Sequence, residues 1–305
     1  MFATLLGGLP QPTLPDGSQG GPEAEVEAVV RAQEEAGLEP ITDGRRSDPA
    51  RPAVDRWRFA AGLTDRAVKQ MLPGPYAVAA RDGATSRAAR SGVVERLRGE
   101  VEALVAAGCP LIEIEETGAH RIGDDPAARA LFRDLHAGLT EGLEVVHLSL
   151  SIVGGSADGA GADMVLAPGY ASFAFDLIAG PDNWRLAALV PGELGLVVGA
   201  LSGRERADEP KEILLWAAHY AASTGSRGIV RVGLGSAGGY ESLPWEVALR
   251  KLRRLGEAAK LAAMPPGPEL SRRLDPRAVS IRTAALGHDA PPPPKRSRRR
   301  PASSD

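Results

Sequence analysis

The sequence predicts an α/β fold, a single parallel (βα)8 barrel over residues 1–262. Short apolar segments alternate with longer amphipathic ones along the chain, the pattern of repeated strand–helix units. Eight such units fill about 260 residues, the usual size of an α/β barrel. With 43% hydrophobic and 25% charged residues, the composition suits one large domain or two small ones, and two are not required. An open doubly wound sheet is the alternative.

The predicted strands are short apolar runs, and the predicted helices lie between them. In chain order the strands are Phe2–Leu6, Pro40–Thr42, Val68–Leu72, Leu111–Glu115, Glu144–Leu150, Ser172–Ile178, Gly195–Val198 and Gly228–Val232. The helices are Pro22–Ala36, Pro52–Ala61, Arg87–Ala107, Pro126–Leu139, Asp158–Leu166, Asn183–Leu189, Pro210–Ser223 and Pro244–Ala262. Several helices begin with proline, whose missing N–H costs nothing in the first turn.

Charge and cysteine content narrow the class of partner. The net charge of −3 gives no general attraction to nucleic acid or to an anionic membrane, so we expect a small-molecule substrate. Because Cys109 is the single cysteine, no intramolecular disulfide can form, and a reducing, cytoplasmic location is expected. The first ten residues lack the features of a signal peptide, and no stretch approaches the roughly 18 apolar residues of a membrane span.

Residues 263–305 are rich in proline and arginine and are predicted to form a disordered tail. The tail ends in Pro291–Pro294 followed by a basic run, Lys295–Arg300. A solvated tail is favoured over a dedicated interaction, and a weak contact of this basic run is the one nucleic-acid interaction left open.

The candidate site lies where the strands end, because those ends converge on one face of a barrel. His147 is interpreted as an acid, a base or a residual metal ligand, with a buried histidine bonded to a neighbouring strand as the alternative. Glu115 and Glu116 are adjacent, so they point to opposite faces of their strand. We favour Glu115 as the pocket acid, with Glu116 beneath a loop. Asp43 either binds substrate or caps the loop that follows it.

Several motifs at these ends resemble the catalytic barrel of cobalamin-independent methionine synthase and its short single-domain relatives. They are Leu5–Pro10, Gln33–Leu38 with Thr42–Gly44, Leu72–Tyr76, Ala107–Glu116 and Leu243–Ala248 with Lys251–Leu252. The resemblance implies a TIM barrel of the UROD/methionine synthase type and a role in methionine biosynthesis. That family transfers a methyl group from methyltetrahydrofolate to homocysteine, whose thiol zinc holds as a thiolate.

The resemblance also implies that the family's zinc site is degenerate in this chain. His147 matches the family's histidine, whereas Ser149, Asp176 and Gly238 replace the other three ligands. A serine hydroxyl is a poor zinc ligand beside thiolate, and glycine has no side chain. We therefore expect no zinc cofactor of the family's kind, while folate remains a possible one.

The family's amino-acid-binding positions are changed as well. Where the family has an acid, Arg45 reverses the charge at the pocket mouth, which favours a carboxylate or phosphate. The sequence thus predicts a methyl or one-carbon transferase acting on a small anionic substrate. His147 and Glu115 are its predicted acid–base residues, and its predicted substrate-binding residues are Arg45, Asp43, Gly8, Glu116 and Tyr76. The alternatives are a non-catalytic protein that binds a pterin or small acid, and a residual methionine synthase.

Overall fold

The fold is built on a curled parallel sheet, seen in a computed structural model that describes residues 1–14, 20–143 and 146–274. Its seven strands are β1 (Phe2–Thr4), β2 (Lys69–Pro73), β3 (Leu111–Glu116), β4 (Leu148–Ile152), β5 (Ser172–Asp176), β6 (Gly195–Ser202) and β7 (Val232–Ala237). The strand order is β1-β7-β6-β5-β4-β3-β2, and every pair is parallel. Since neighbouring strands follow chain order around the sheet, the doubly wound alternative is wrong.

The helices cover the outer surface of the sheet. They are α1 (Pro22–Ala36), α2 (Ala53–Ala61), α3 (Pro75–Arg81), α4 (Arg87–Ala106), α5 (Pro126–Thr140), α6 (Ala162–Val165), α7 (Asn183–Leu189), α8 (Lys211–Ser223), α9 (Trp245–Ala262) and α10 (Pro268–Arg273). Neither α3 nor α10 was predicted from the sequence, and α10 lies within the segment predicted to be disordered. The rest of that tail, 275–305, lies outside the described residues. Among the described helices, none is long and apolar enough to cross a membrane.

The segment predicted as the second strand, Pro40–Thr42, is reduced to a single bridge. Ile41 pairs in parallel with Val68. The Glu39 N–H donates to the Ala3 carbonyl at 2.9 Å, and the Ile41 N–H donates to the Ala67 carbonyl at 2.9 Å. The segment therefore contacts both edges of the seven-stranded sheet.

The predicted strand Gly228–Val232 is wrong. Ile229–Arg231 form a 3-10 turn, and the strand β7 begins only at Val232. Val230 is 75% exposed, so this apolar run does not mark the core. The glycines of β7 fit a crowded inner face of the sheet, where a larger residue would clash. A Cβ on Gly233 would lie 2.4 Å from the ring of Phe2. Their small size makes room for side chains from β1 inside the curled sheet.

Candidate functional site

A cavity of about 700 Å³ opens at the carboxyl end of β2 and β3. It is lined by the chain after the Ile41 bridge, by Arg56 of α2, and by one side of α3. Its polar and charged lining residues are Asp43, Arg45, Ser47, Arg56, Gln70, Tyr76, Arg81, Glu115, Thr117 and Arg121. Three of the predicted site residues with charged side chains, Asp43, Arg45 and Glu115, therefore lie together here.

Glu115 is the buried acid of this cavity, as the alternation along β3 predicts. Its side chain is 4% exposed and forms an ion pair with the Arg45 guanidinium. Among the described residues, its Oε2 atom has no hydrogen-bond partner. Burial raises the pKa of Glu115, and the charge of Arg45 opposes that rise. The group can thus exchange a proton with a molecule in the cavity.

Arg45 is held by two acids rather than being free to bind an anion. Besides Glu115, its Nη1 contacts Glu241 Oε1 at 3.3 Å. The residue has a φ of 58°, a left-handed conformation that is uncommon outside glycine. Asp43 Oδ1 accepts a hydrogen bond from the Arg45 N–H at 3.0 Å, while within the described chain Asp43 Oδ2 is buried without a partner. Asp43 therefore caps its loop and also lines the cavity.

Arg56 brings a further cationic group to the cavity, and the sequence pattern did not single it out. Its Nε atom and the nearby Ser47 Oγ are both buried, and neither has a hydrogen-bond partner among the described residues. Both are donors, so together they suit an anionic or carbonyl oxygen. One sequence feature could have indicated Arg56: it lies early in the helix that follows the Thr42–Arg45 turn.

Glu116 does not bind substrate in this arrangement, so the prediction for that residue is corrected. It is fully buried on the opposite face of β3. Its carboxylate accepts hydrogen bonds from the Tyr76 N–H at 2.7 Å and the Ala77 N–H at 3.1 Å. It also lies 3.1 Å from His136 Nε2. It caps the first turn of α3 and so holds Tyr76 in the cavity wall, which is the role beneath a loop that the alternation predicts.

Gly8 is likewise corrected as a substrate-binding residue. It is buried outside the cavity lining, and its N–H donates to Glu241 Oε1 at 2.8 Å. A Cβ at this position would lie 2.9 Å from the backbone carbonyl oxygen of Gly44. Glycine is needed here for a close approach between two loops, not for contact with a ligand.

His147 lies at the wrong end of the sheet to act with Glu115. It precedes β4, and its carbonyl accepts the Ile112 N–H near the start of β3, whereas Glu115 pairs with Ser151 further along. His147 Nε2 lies 3.0 Å from Ser172 Oγ, and the ring is exposed. The prediction placed the histidine at the carboxyl end because the apolar run before it was taken as the strand, which begins only at Leu148.

The four positions that the resemblance assigns to the family's zinc ligands do not lie together. Ser149 lies with His147 at the amino end, whereas Asp176 ends β5 at the carboxyl end. Asp176 Oδ1 accepts the N–H groups of Ile178 and Ala179 at 3.0 and 2.8 Å. Across the described residues, no three His, Cys, Asp or Glu side chains are grouped as a metal would require.

Comparisons with known proteins agree with the resemblance seen in the sequence. A segment of 81 residues is 40% identical to the 5-methyltetrahydropteroyltriglutamate–homocysteine methyltransferase of Caulobacter vibrioides; it covers 25% of this chain and only 10% of that protein. No protein-family model matches the chain.

Two solved structures share the fold over most of the chain. One is a B12-independent methionine synthase from Shewanella sp. W3-18-1 in complex with selenomethionine, with a TM-score of 0.69, 16% identity, and coverage of 93% of this chain and 98% of that one. The other is a putative vitamin-B12-independent methionine synthase from Listeria monocytogenes, with a TM-score of 0.68, 15% identity, and coverage of 85% and 97%. The chain is a short domain with a methionine synthase-like fold.

Proposed function

We propose that this protein is a methyltransferase-like enzyme that binds a small anionic substrate in the cavity beside Glu115. The observation that carries the proposal is the set of buried polar atoms that line one cavity without a partner among the described residues. They are two acceptors, Asp43 Oδ2 and Glu115 Oε2, and two donors, Ser47 Oγ and Arg56 Nε. Unpartnered buried polar groups are costly, so a ligand or water satisfies them.

Each residue has a distinct proposed role. Arg56 and Ser47 bind the anionic group of the substrate. The substrate's nucleophilic atom forms a bond to the methyl carbon as the bond between that carbon and the donor breaks. Glu115 takes the proton that the nucleophilic atom loses in this step. Arg45 keeps Glu115 in place and opposes the rise of its pKa, instead of binding the substrate. Tyr76 and Asp43 complete the wall. We further propose that the segment around Ile41 acts as an eighth strand that closes the barrel, because it bonds to both sheet edges.

Two variants on one helix test the substrate-binding half of the proposal. Arg56→Met removes the guanidinium from the cavity, whereas Arg58→Met removes an exposed one that pairs with Asp55. In a calorimetric screen of small carboxylates, we expect a ligand whose affinity falls about tenfold or more in Arg56→Met, the loss of one charge-assisted hydrogen bond. Equal affinities in both variants would place the anion elsewhere.

The chemical half is tested by incubating the full chain with 13C-methyl-labelled methyltetrahydrofolate and each bound carboxylate. We expect a new methyl signal by NMR that is lost in Glu115→Gln. Binding without methyl transfer would support the non-catalytic reading, which the loss of the family's ligand positions motivates. Methylation of homocysteine would instead support a residual methionine synthase activity.

A further inference from the structure

A second cavity of about 470 Å³ opens at the amino end of the sheet, opposite the cavity of Glu115. The two cavities share no lining residue. Its floor holds buried polar side chains from β2, β3 and β4, namely Lys69, Glu113 and Ser149. Its walls are largely apolar and include Phe2, Leu111 and Val197. His147 and Ser172 stand near its mouth.

The floor of this cavity contains a buried ion pair, in which one carboxylate oxygen is not used by the pairing. Lys69 Nζ lies 2.6 Å from Glu113 Oε2, and the two side chains are 1% and 3% exposed. Glu113 Oε1 is buried and, among the described residues, has no hydrogen-bond partner. A buried carboxylate oxygen of this kind requires a donor. Lys69 adds the complementary group, because an ammonium has three N–H donors and one is directed to Glu113.

The charges restrict what could occupy this space. Lys69 and Glu113 neutralise each other, and the two charged residues at the rim, Glu193 and Arg231, have opposite signs. A charged ligand would be desolvated on entering and would find no uncompensated charge to balance its own. A neutral group with a donor beside an acceptor could donate to Glu113 Oε1 and accept from Lys69, and the ion pair between the two residues would stay intact.

We propose that this amino-end cavity is a binding site for a small neutral molecule that carries a carboxamide-type edge on an apolar ring. The N–H of the amide donates to Glu113 Oε1, and its carbonyl accepts from Lys69. The ring packs between Phe2, Leu111 and Val197. This site is separate from the proposed methyl-transfer site and does not depend on it.

Three isosteric probes test the proposal on the full chain: benzamide, benzoate and benzamidinium. They share a ring and a planar head group but are neutral, anionic and cationic. By calorimetry we expect benzamide to bind at least about tenfold more tightly than either charged probe, because only benzamide matches a neutral donor–acceptor pair. Equal or tighter binding of a charged probe, or no binding of any probe at millimolar concentration, would overturn the proposal.

Imidazole NMR signals locate the bound probe. We expect benzamide to shift the signals of His147, at the cavity mouth, and not those of His136, which is buried behind the other cavity. A shift at His136 alone would refute the assignment. The double variant Lys69→Met/Glu113→Gln removes both charges together, so neither is left buried and unpaired. It should remain folded by circular dichroism and lose benzamide binding, whereas Glu257→Gln, at an exposed position, should retain it.

Discussion

Replacing Glu116 by glutamine should destabilise the protein although the side chain keeps its size. Glutamine retains one acceptor oxygen, which suffices for Tyr76 and His136, because both contact the same Oε1 atom. The new amide N–H2 group takes the place of Oε2, which accepts the Ala77 N–H at 3.1 Å, so that N–H keeps only its longer contact of 3.2 Å with Oε1. The variant loses one charge-assisted hydrogen bond, about 1.5–3 kcal/mol, and a negative charge at the start of α3, about 0.3–1 kcal/mol. We expect a total loss of about 2–4 kcal/mol.

Urea unfolding followed by circular dichroism measures this loss by linear extrapolation. The matched control is Glu257→Gln, which makes the same chemical change at an exposed position of α9 and should stay within about 0.5 kcal/mol of the parent. Glu116→Ala removes every acceptor and should be less stable than Glu116→Gln. If Glu116→Gln unfolded at the same urea concentration as Glu257→Gln, the role assigned to this carboxylate would be wrong.

Three further changes have defined outcomes. Cys109 is buried and its pKa is raised to about 11, so it should resist a disulfide reagent at pH 8 in the native protein and react once per chain in urea; fast native reaction would contradict its burial. Arg45→Met removes the charge that lowers the pKa of Glu115, so that pKa should rise further; a carboxyl 13C titration showing no rise would refute the pairing. Gly256→Ala places a Cβ 1.8 Å from a backbone oxygen of α1 and should lower the free energy of unfolding by about 2 kcal/mol or more in calorimetric melting. Gly99→Ala, whose Cβ has nothing within 4 Å, should raise it by about 0.5–1 kcal/mol. Changes of the same sign in both variants would contradict the contact between α9 and α1.

Alternation along a strand was the most dependable guide to the site. The sequence places Glu115 and Glu116 on opposite faces of β3, and the structure shows one in the cavity and the other under α3. This prediction succeeded because the period of two is a property of the extended backbone itself. The same rule could not locate His147, since the rule gives the face of a side chain and not its distance along the strand.

The errors arose where glycine and arginine have roles that depend on distant residues. Gly233 serves as a strand residue because Phe2, from the other end of the chain, fills the space beside it. Arg45 pairs with Glu115 and Glu241, so its charge is not available to an anion as the sequence suggested. Arg56 is proposed as a binding residue because, in the part of the chain that the structure describes, nothing hydrogen-bonds to its Nε atom. Such relations follow from tertiary packing and leave no local pattern.

The pairing of β1 with β7 has a consequence for how the chain is made. Phe2 pairs with Gly233, so β1 leaves the ribosome about 230 residues before its partner strand is synthesised. At usual synthesis rates that interval is roughly 10 to 50 s. During this time β1 and the growing edge of the sheet present unpaired N–H and C=O groups to other chains. Nascent chains halted before Val232 should therefore aggregate or require a chaperone.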